Sequence, residues 1–106
     1  MPPPAFSKQF LAVVAAVPVA STPVPQGFLW VLRCMDVTST ESSSSPFWVA
    51  MNPGWIEMWH IDPSAWSAGN HFQWKGRQVL NAGQYIHANL PSQASFVASG
   101  YQLSVA

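Results

Sequence analysis

Charge is what this chain has least of: eight of its 106 residues are Asp, Glu, Lys or Arg, four of each sign, and the net charge is zero. A free soluble domain carries about a quarter charged residues. A surface this poor in charge does little to keep molecules apart, which points to a chain packed against partners. The four basic residues, Lys8, Arg33, Lys75 and Arg77, form no run. Phosphate-directed binding needs several clustered Lys and Arg to release counterions, so no nucleic-acid partner is expected. Cysteine is equally scarce. The single Cys34 excludes an internal disulfide, and in its apolar run it reads as a small buried hydrophobe rather than a reactive thiol. Long apolar runs are missing too, since a bilayer span takes roughly 20 residues, and no membrane partner is expected. The stretch from Phe10 to Ala20, after Lys8, superficially resembles the apolar part of a secretory signal, but Pro18 interrupts it and the segment is expected to be retained.

What is present is proline, tryptophan and β-branched residues. At 11.6 kDa there is room for one domain with one core. Met1-Pro2-Pro3-Pro4 cannot be a helix interior and favours extended geometry, so residues 1–22 read as a Pro-rich N-terminal arm with a possible first strand, and 23–106 as the folded domain. Phe10, Val13, Val14 and Val17 have helical spacing. Four valines in the run and the following Pro18, Pro23 and Pro25 favour a strand instead.

From Gly27 on, every signal is β. Phe28 to Thr38 alternates Leu29, Val31, Met35 and Val37 with Phe28, Trp30, Leu32 and Cys34, which predicts a central strand covered on both faces. Phe47 to Met51 and Trp55 to Ile61 flank an Asn52-Pro53-Gly54 turn. In the second of these, Glu57 shares a side with Trp55 and Trp59. A carboxylate does not point unpaired into a small core, so Ile56 and Met58 are expected inside and the two tryptophans outside. Residues 65–70 read as a loop carrying Trp66. Gly76 reads as a bulge, Asn81-Ala82-Gly83 as a turn, Tyr85 to Leu90 as a strand with Ile86, Ala88 and Leu90 inward, and Phe96 to Val105 as the last strand. Strands spaced by about 8 to 12 residues between Pro, Gly and Asn turns predict an all-β fold, a single antiparallel β-sandwich or jelly roll.

The stock for catalysis is small. His60, His71 and His87 lack the close His or Cys spacing of a zinc site. His60 and Asp62 could turn to one face, but a strand-end His beside an Asp-Pro turn is the simpler reading. Serines 42–45 form a polar loop, Ser99 lacks the Gly-x-Ser-x-Gly elbow, and no glycine spacing builds a phosphate cradle. No catalytic residue, metal or cofactor is expected, and no enzymatic activity. Tryptophan is the specialised resource. Exposed rings on a sandwich serve protein contacts, where Trp is enriched, or stack on sugars. Glu57, Asn52 and Gln73 are the polar groups that could hold sugar hydroxyls. Protein contact is the favoured role, with Trp30 and Trp74 in the core. The candidate interface residues are Pro2, Pro3, Pro4, Phe6, Phe10, Trp48, Trp55, Trp59 and Trp66.

Three segments carry a resemblance: Val24-Pro25-Gln26-Gly27 running into Phe28-Leu29-Trp30-Val31-Leu32-Arg33, the hairpin Arg77-Gln78-Val79-Leu80-Asn81-Ala82-Gly83, and Ser99-Gly100-Tyr101-Gln102-Leu103. Over about residues 23–105 the chain resembles small β-sandwich structural proteins of tailed bacteriophages. The resemblance implies a virion component. The expectation is a capsid decoration (cement) protein on the outer surface of the head, a homotrimer that bridges copies of the major capsid protein. The alternatives are a small tail or neck protein and a carbohydrate-binding module for host attachment.

Overall fold

Aromatic and β-branched residues fill the extended segments, and Pro, Gly and Asn punctuate them. In the computed structural model, which describes residues 5–67 and 69–105, they form eight strands: β1 (Ala5–Ala15), β2 (Pro18–Ala20), β3 (Phe28–Ser39), β4 (Phe47–Asn52), β5 (Ile56–Ile61), β6 (His71–Leu80), β7 (Tyr85–Asn89) and β8 (Ala94–Ser104). They make two four-stranded sheets, ordered β1-β8-β3-β6 and β2-β7-β4-β5. Every neighbouring pair is antiparallel. The pairs β1·β8, β2·β7, β3·β6 and β4·β5 are nested, so the chain is one long hairpin with its apex at Asn52-Pro53-Gly54-Trp55. Rolling that hairpin lays β8 beside β3 and β7 beside β4. This is the eight-stranded jelly roll, and it answers the expected architecture.

Within residues 1–22, expected to be an arm with a possible first strand, Ala5–Ala15 and Pro18–Ala20 are strands, one in each sheet. β1 pairs with β8 of the same subunit along its whole length. Three-residue β2, hidden between prolines in the sequence, pairs with β7. Pro2, Pro3, Pro4 and the side chain of Phe6 lie outside the described residues.

A line of bulges crosses the long sheet and decides what its strands bury. Register shifts fall between Gln9 and Leu11 on β1 and between Leu32 and Cys34 on β3, against both neighbours of β3. One extra residue reverses the side-chain alternation. Trp30 and Leu32 before the shift, and Met35, Val37 and Ser39 after it, therefore all enter the same core and are buried. The apolar residues read as two faces of β3 thus line largely one. Cys34 and Asp36 stand on the other face, half-buried rather than covered. Gly76 lies in the β6 part of this same irregularity, as its sequence context predicted.

β5 carries a second correction. Its shift against β4 leaves Met58 as the extra residue between Glu57 and Trp59. Glu57 still points out, but Trp59 now turns in, with its ring edge-on to Phe47 at 5.2 Å between centroids. Ile56, expected inside, is 51% exposed, whereas Met58 packs on the core as expected.

Candidate contact surfaces

Two of the aromatic residues expected at an interface are structural. Phe10 is buried and stacks on Trp30 at 4.3 Å, with the ring planes 11° apart. Trp66 is 1% exposed. Its ring is stacked between Phe47 and Phe72, and its Nε1 donates to Ser92 Oγ at 2.7 Å. Ser92 in turn donates to the Glu41 carbonyl at 2.7 Å, which ties the loop after β5 to the loop after β3. A side chain that is already desolvated has no area left to offer a partner. Trp59, half-buried against Phe47, offers little.

Trp48 and Trp55 are different. Alternation along β4 and β7 places Trp48, Ala50 and Asn52 on the outer face of the short sheet, beside Tyr85, His87 and Asn89. Trp48 is half-buried, and Trp55 lies over it from the β4–β5 turn, 56% exposed. The Trp48 ring is 4.9 Å from Trp55 and 5.1 Å from His87, each in an edge-to-face arrangement. Asn52 fixes this group: its Nδ2 lies 3.1 Å from His87 Nδ1, and its Oδ1 accepts from the Trp55 amide at 3.1 Å. Trp55 has a left-handed φ of 52°, a conformation that is uncommon for a bulky residue. The Asn52 bond holds it there. Glu57 and His60 border the patch, with His60 between Glu57 at 2.9 Å and Asp62 at 3.1 Å. Sequence reasoning separated His87 from Trp48. Only the β4–β7 pairing, which no local pattern encodes, brings them together.

On the outer face of the long sheet, Asp36 is a hub. It accepts from Cys34 Sγ at 3.3 Å and Gln73 Nε2 at 3.0 Å, and His71 Nε2 lies 3.3 Å away. His71 Nδ1 is 2.8 Å from Thr38 Oγ1. Hydroxyl, imidazole and carboxylate in a row resemble a nucleophile triad. Thr38, however, sits on an inner strand whose backbone is paired on both sides. The Thr38 backbone is thus taken up by the ladders with β6 and β8. Burial, together with the Asp36 carboxylate that takes its hydrogen bond, pushes the Cys34 thiol above its ordinary value, so the thiol stays protonated at neutral pH. Among the described residues, no group of three or more His, Cys, Asp or Glu side chains converges to hold a metal ion, and no helix is long and apolar enough to cross a membrane.

The third surface is a strand edge. β1 is the outermost strand of the long sheet, and Val14 near its end is 69% exposed, with Val17 beyond it at 56%. No family model matches the chain, and no curated protein is similar to it.

Proposed function

We propose that the chain is a non-enzymatic structural subunit of a virion, a decoration protein that stabilises a phage head by bridging copies of the major capsid protein. One observation carries this reading. Among the described residues, the large exposed apolar side chains lie in three separate places: Val14 and Val17 at the β1 edge, Trp55 and Ile56 at the hairpin apex, and Val79, Tyr101 and Val105 on the far part of the long sheet. A subunit that bridges needs more than one contact, and isolated apolar patches on a charge-poor surface supply them. Jelly rolls build viral capsid proteins, which agrees with the resemblance, although a fold alone carries no function. Local threefold sites of a capsid lattice make a homotrimer on the outer surface the expected form. A tail or neck position would use the same contacts.

Co-sedimentation of the purified chain with heads lacking it tests the proposal. Removing residues 1–10 is a poor probe, because half of β1 and the Phe10 stack would go with them. Surface changes are cleaner. Val14→Lys and Trp55→Ala are each expected to weaken head binding about tenfold or more, the scale of losing an interface hot spot. Binding unchanged by both refutes the reading, and a density map of the particle distinguishes head from neck or tail.

The Trp48, Trp55 and His87 group favours one second reading, host attachment through carbohydrate, because Asn52 and Glu57 stand beside the rings. Glycan binding lost in Trp55→Ala, with particle binding retained, would replace contact by attachment.

A further inference from the structure

The four basic residues are scattered at positions 8, 33, 75 and 77; the bulge line gathers the last three on the outer face of the long sheet, while Lys8 turns its Nζ to Gln102 Oε1 at 3.1 Å and over the Trp30 ring. Arg33 is the residue inserted on β3, and Arg77 lies in the matching irregularity of β6. Lys75 is paired opposite Cys34 on the same outer face. Arg33 lines two adjoining hollows that share Tyr101. One, of about 380 Å³, also holds Lys8 and Ser99. The other, of about 300 Å³, is walled by Arg77, Val31 and Leu103.

Arg33, Lys75 and Arg77 are not spent inside the molecule. Among the described residues the ion pairs all involve histidines, and none uses Arg33, Lys75 or Arg77. Asp36, the carboxylate nearest on this face, is already taken up by Cys34, Gln73 and His71. Glu57 and Asp62 lie on and just after β5 of the other sheet, and Glu41 lies in the loop between β3 and β4. A chain of zero net charge therefore carries a face with three cations, Arg33, Lys75 and Arg77, to one carboxylate, Asp36.

We propose that this face, centred on Arg33, Arg77 and Tyr101, binds an acidic segment of a protein partner whose carboxylates alternate with apolar side chains. Guanidinium groups grip carboxylates bidentately and remain charged in contact with apolar surface. Between and beside them stand Val31, Leu103 and Tyr101, which give apolar side chains a surface to cover. Nucleic acid fits less well. Its affinity rests on many phosphate contacts and on aromatic stacking platforms, and this face has few cations and one aromatic ring. The inference names the partner chemistry of one of the three surfaces invoked above, and in that sense rests on the virion reading.

Its test needs no particle. A short peptide alternating Glu and Leu, an all-Glu peptide, inorganic phosphate and a short DNA duplex are titrated into the full chain at about 50 mM salt, where charges are still felt beyond 10 Å. Binding is followed by NMR shifts of the Arg33 and Arg77 side-chain N–H groups and the Tyr101 amide. The alternating peptide is expected to bind at these signals and more tightly than the all-Glu peptide. Arg33→Gln/Arg77→Gln should weaken it about tenfold or more, and Arg33→Lys/Arg77→Lys less, since charge is kept and the fork is lost. Shifts elsewhere, equal affinity in the Gln variant, or DNA or phosphate binding as tightly as the alternating peptide overturns the proposal. Peptide binding retained while head binding fails would count against the virion reading alone.

Discussion

A methyl group added at Gly100 would collide with the carbonyl oxygen of Val31, on the neighbouring strand, and crowd the Arg33 amide. The obstacle is backbone of β3 at the bulge and has nowhere to go. Gly100→Ala is therefore expected to cost about 3 kcal/mol or more in chemical denaturation, at the upper end of overpacking. Gly76→Ala is the contrast, because its added atom would meet only the Trp74 ring, at 2.9 Å, and a side chain can shift. Its cost should stay near 1 kcal/mol. Which strand approaches Gly100 is set by the pairing of β8 with β3, not by the local Ser99-Gly100-Tyr101 sequence. At Cys34 the raised thiol gives a second residue-scale expectation. The folded chain favours the neutral thiol, so its contribution to stability is complete below the ordinary thiol range and is lost as pH rises through the raised value. Alkylation by iodoacetamide near pH 8 should be slower than for free cysteine, and Asp36→Asn should accelerate it severalfold by removing the carboxylate that holds the proton. Equal rates in the two proteins would show that Asp36 has no such hold.

At the scale of elements, most strands were legible, and so was their facing where alternation is unbroken, as in β7 with Ile86 and Ala88 buried; facing was lost where a bulge intervenes. Phe28 to Thr38, Tyr85 to Leu90 and Phe96 to Val105 announce themselves by aromatic and β-branched content between turns. The bulges at Phe10, Arg33 and Met58 carry ordinary side chains, so nothing marked them, and each reverses every residue beyond it. That is why Glu57 gave the correct direction for itself and the wrong one for Trp59. Trp66 failed differently. Its loop was recognised, but its burial is made by Phe47 and Phe72 from two other strands. Trp66→Ala should accordingly cost about 3–5 kcal/mol, whereas Trp55→Ala, on the surface, should change stability by no more than about 0.5 kcal/mol. Urea titrations of the two variants check this pair. Similar losses in both would mean that the Trp48, Trp55 and His87 group supports the fold instead of serving as a contact surface.

For the whole molecule, composition correctly indicated an all-β sandwich, while the nesting of the hairpin lay beyond it, because β1 meets β8 across nearly the full chain length. The result is elongated, 48 × 23 × 19 Å, with β1 and β6 as the edges of the long sheet and β2 and β5 as those of the short one. Natural sheets protect such edges with charge, proline or bulges. β1 has Lys8 and one bulge, but from Leu11 to Ala15 it is entirely apolar. With a pI of about 6.8, the chain has almost no net charge at neutral pH to oppose association through that edge. Two β1 strands meeting antiparallel would be related by a twofold axis and close as a dimer. A trimer instead requires each β1 edge to meet a different surface of the next copy. Sedimentation velocity at neutral pH separates these outcomes. The wild-type chain is expected to reach a trimer, and Val14→Lys to reduce any further concentration-dependent association by placing a charge on the edge. A dimer as the largest species, abolished by Val14→Lys, would identify edge pairing as the mode of assembly and overturn the threefold arrangement proposed for the virion.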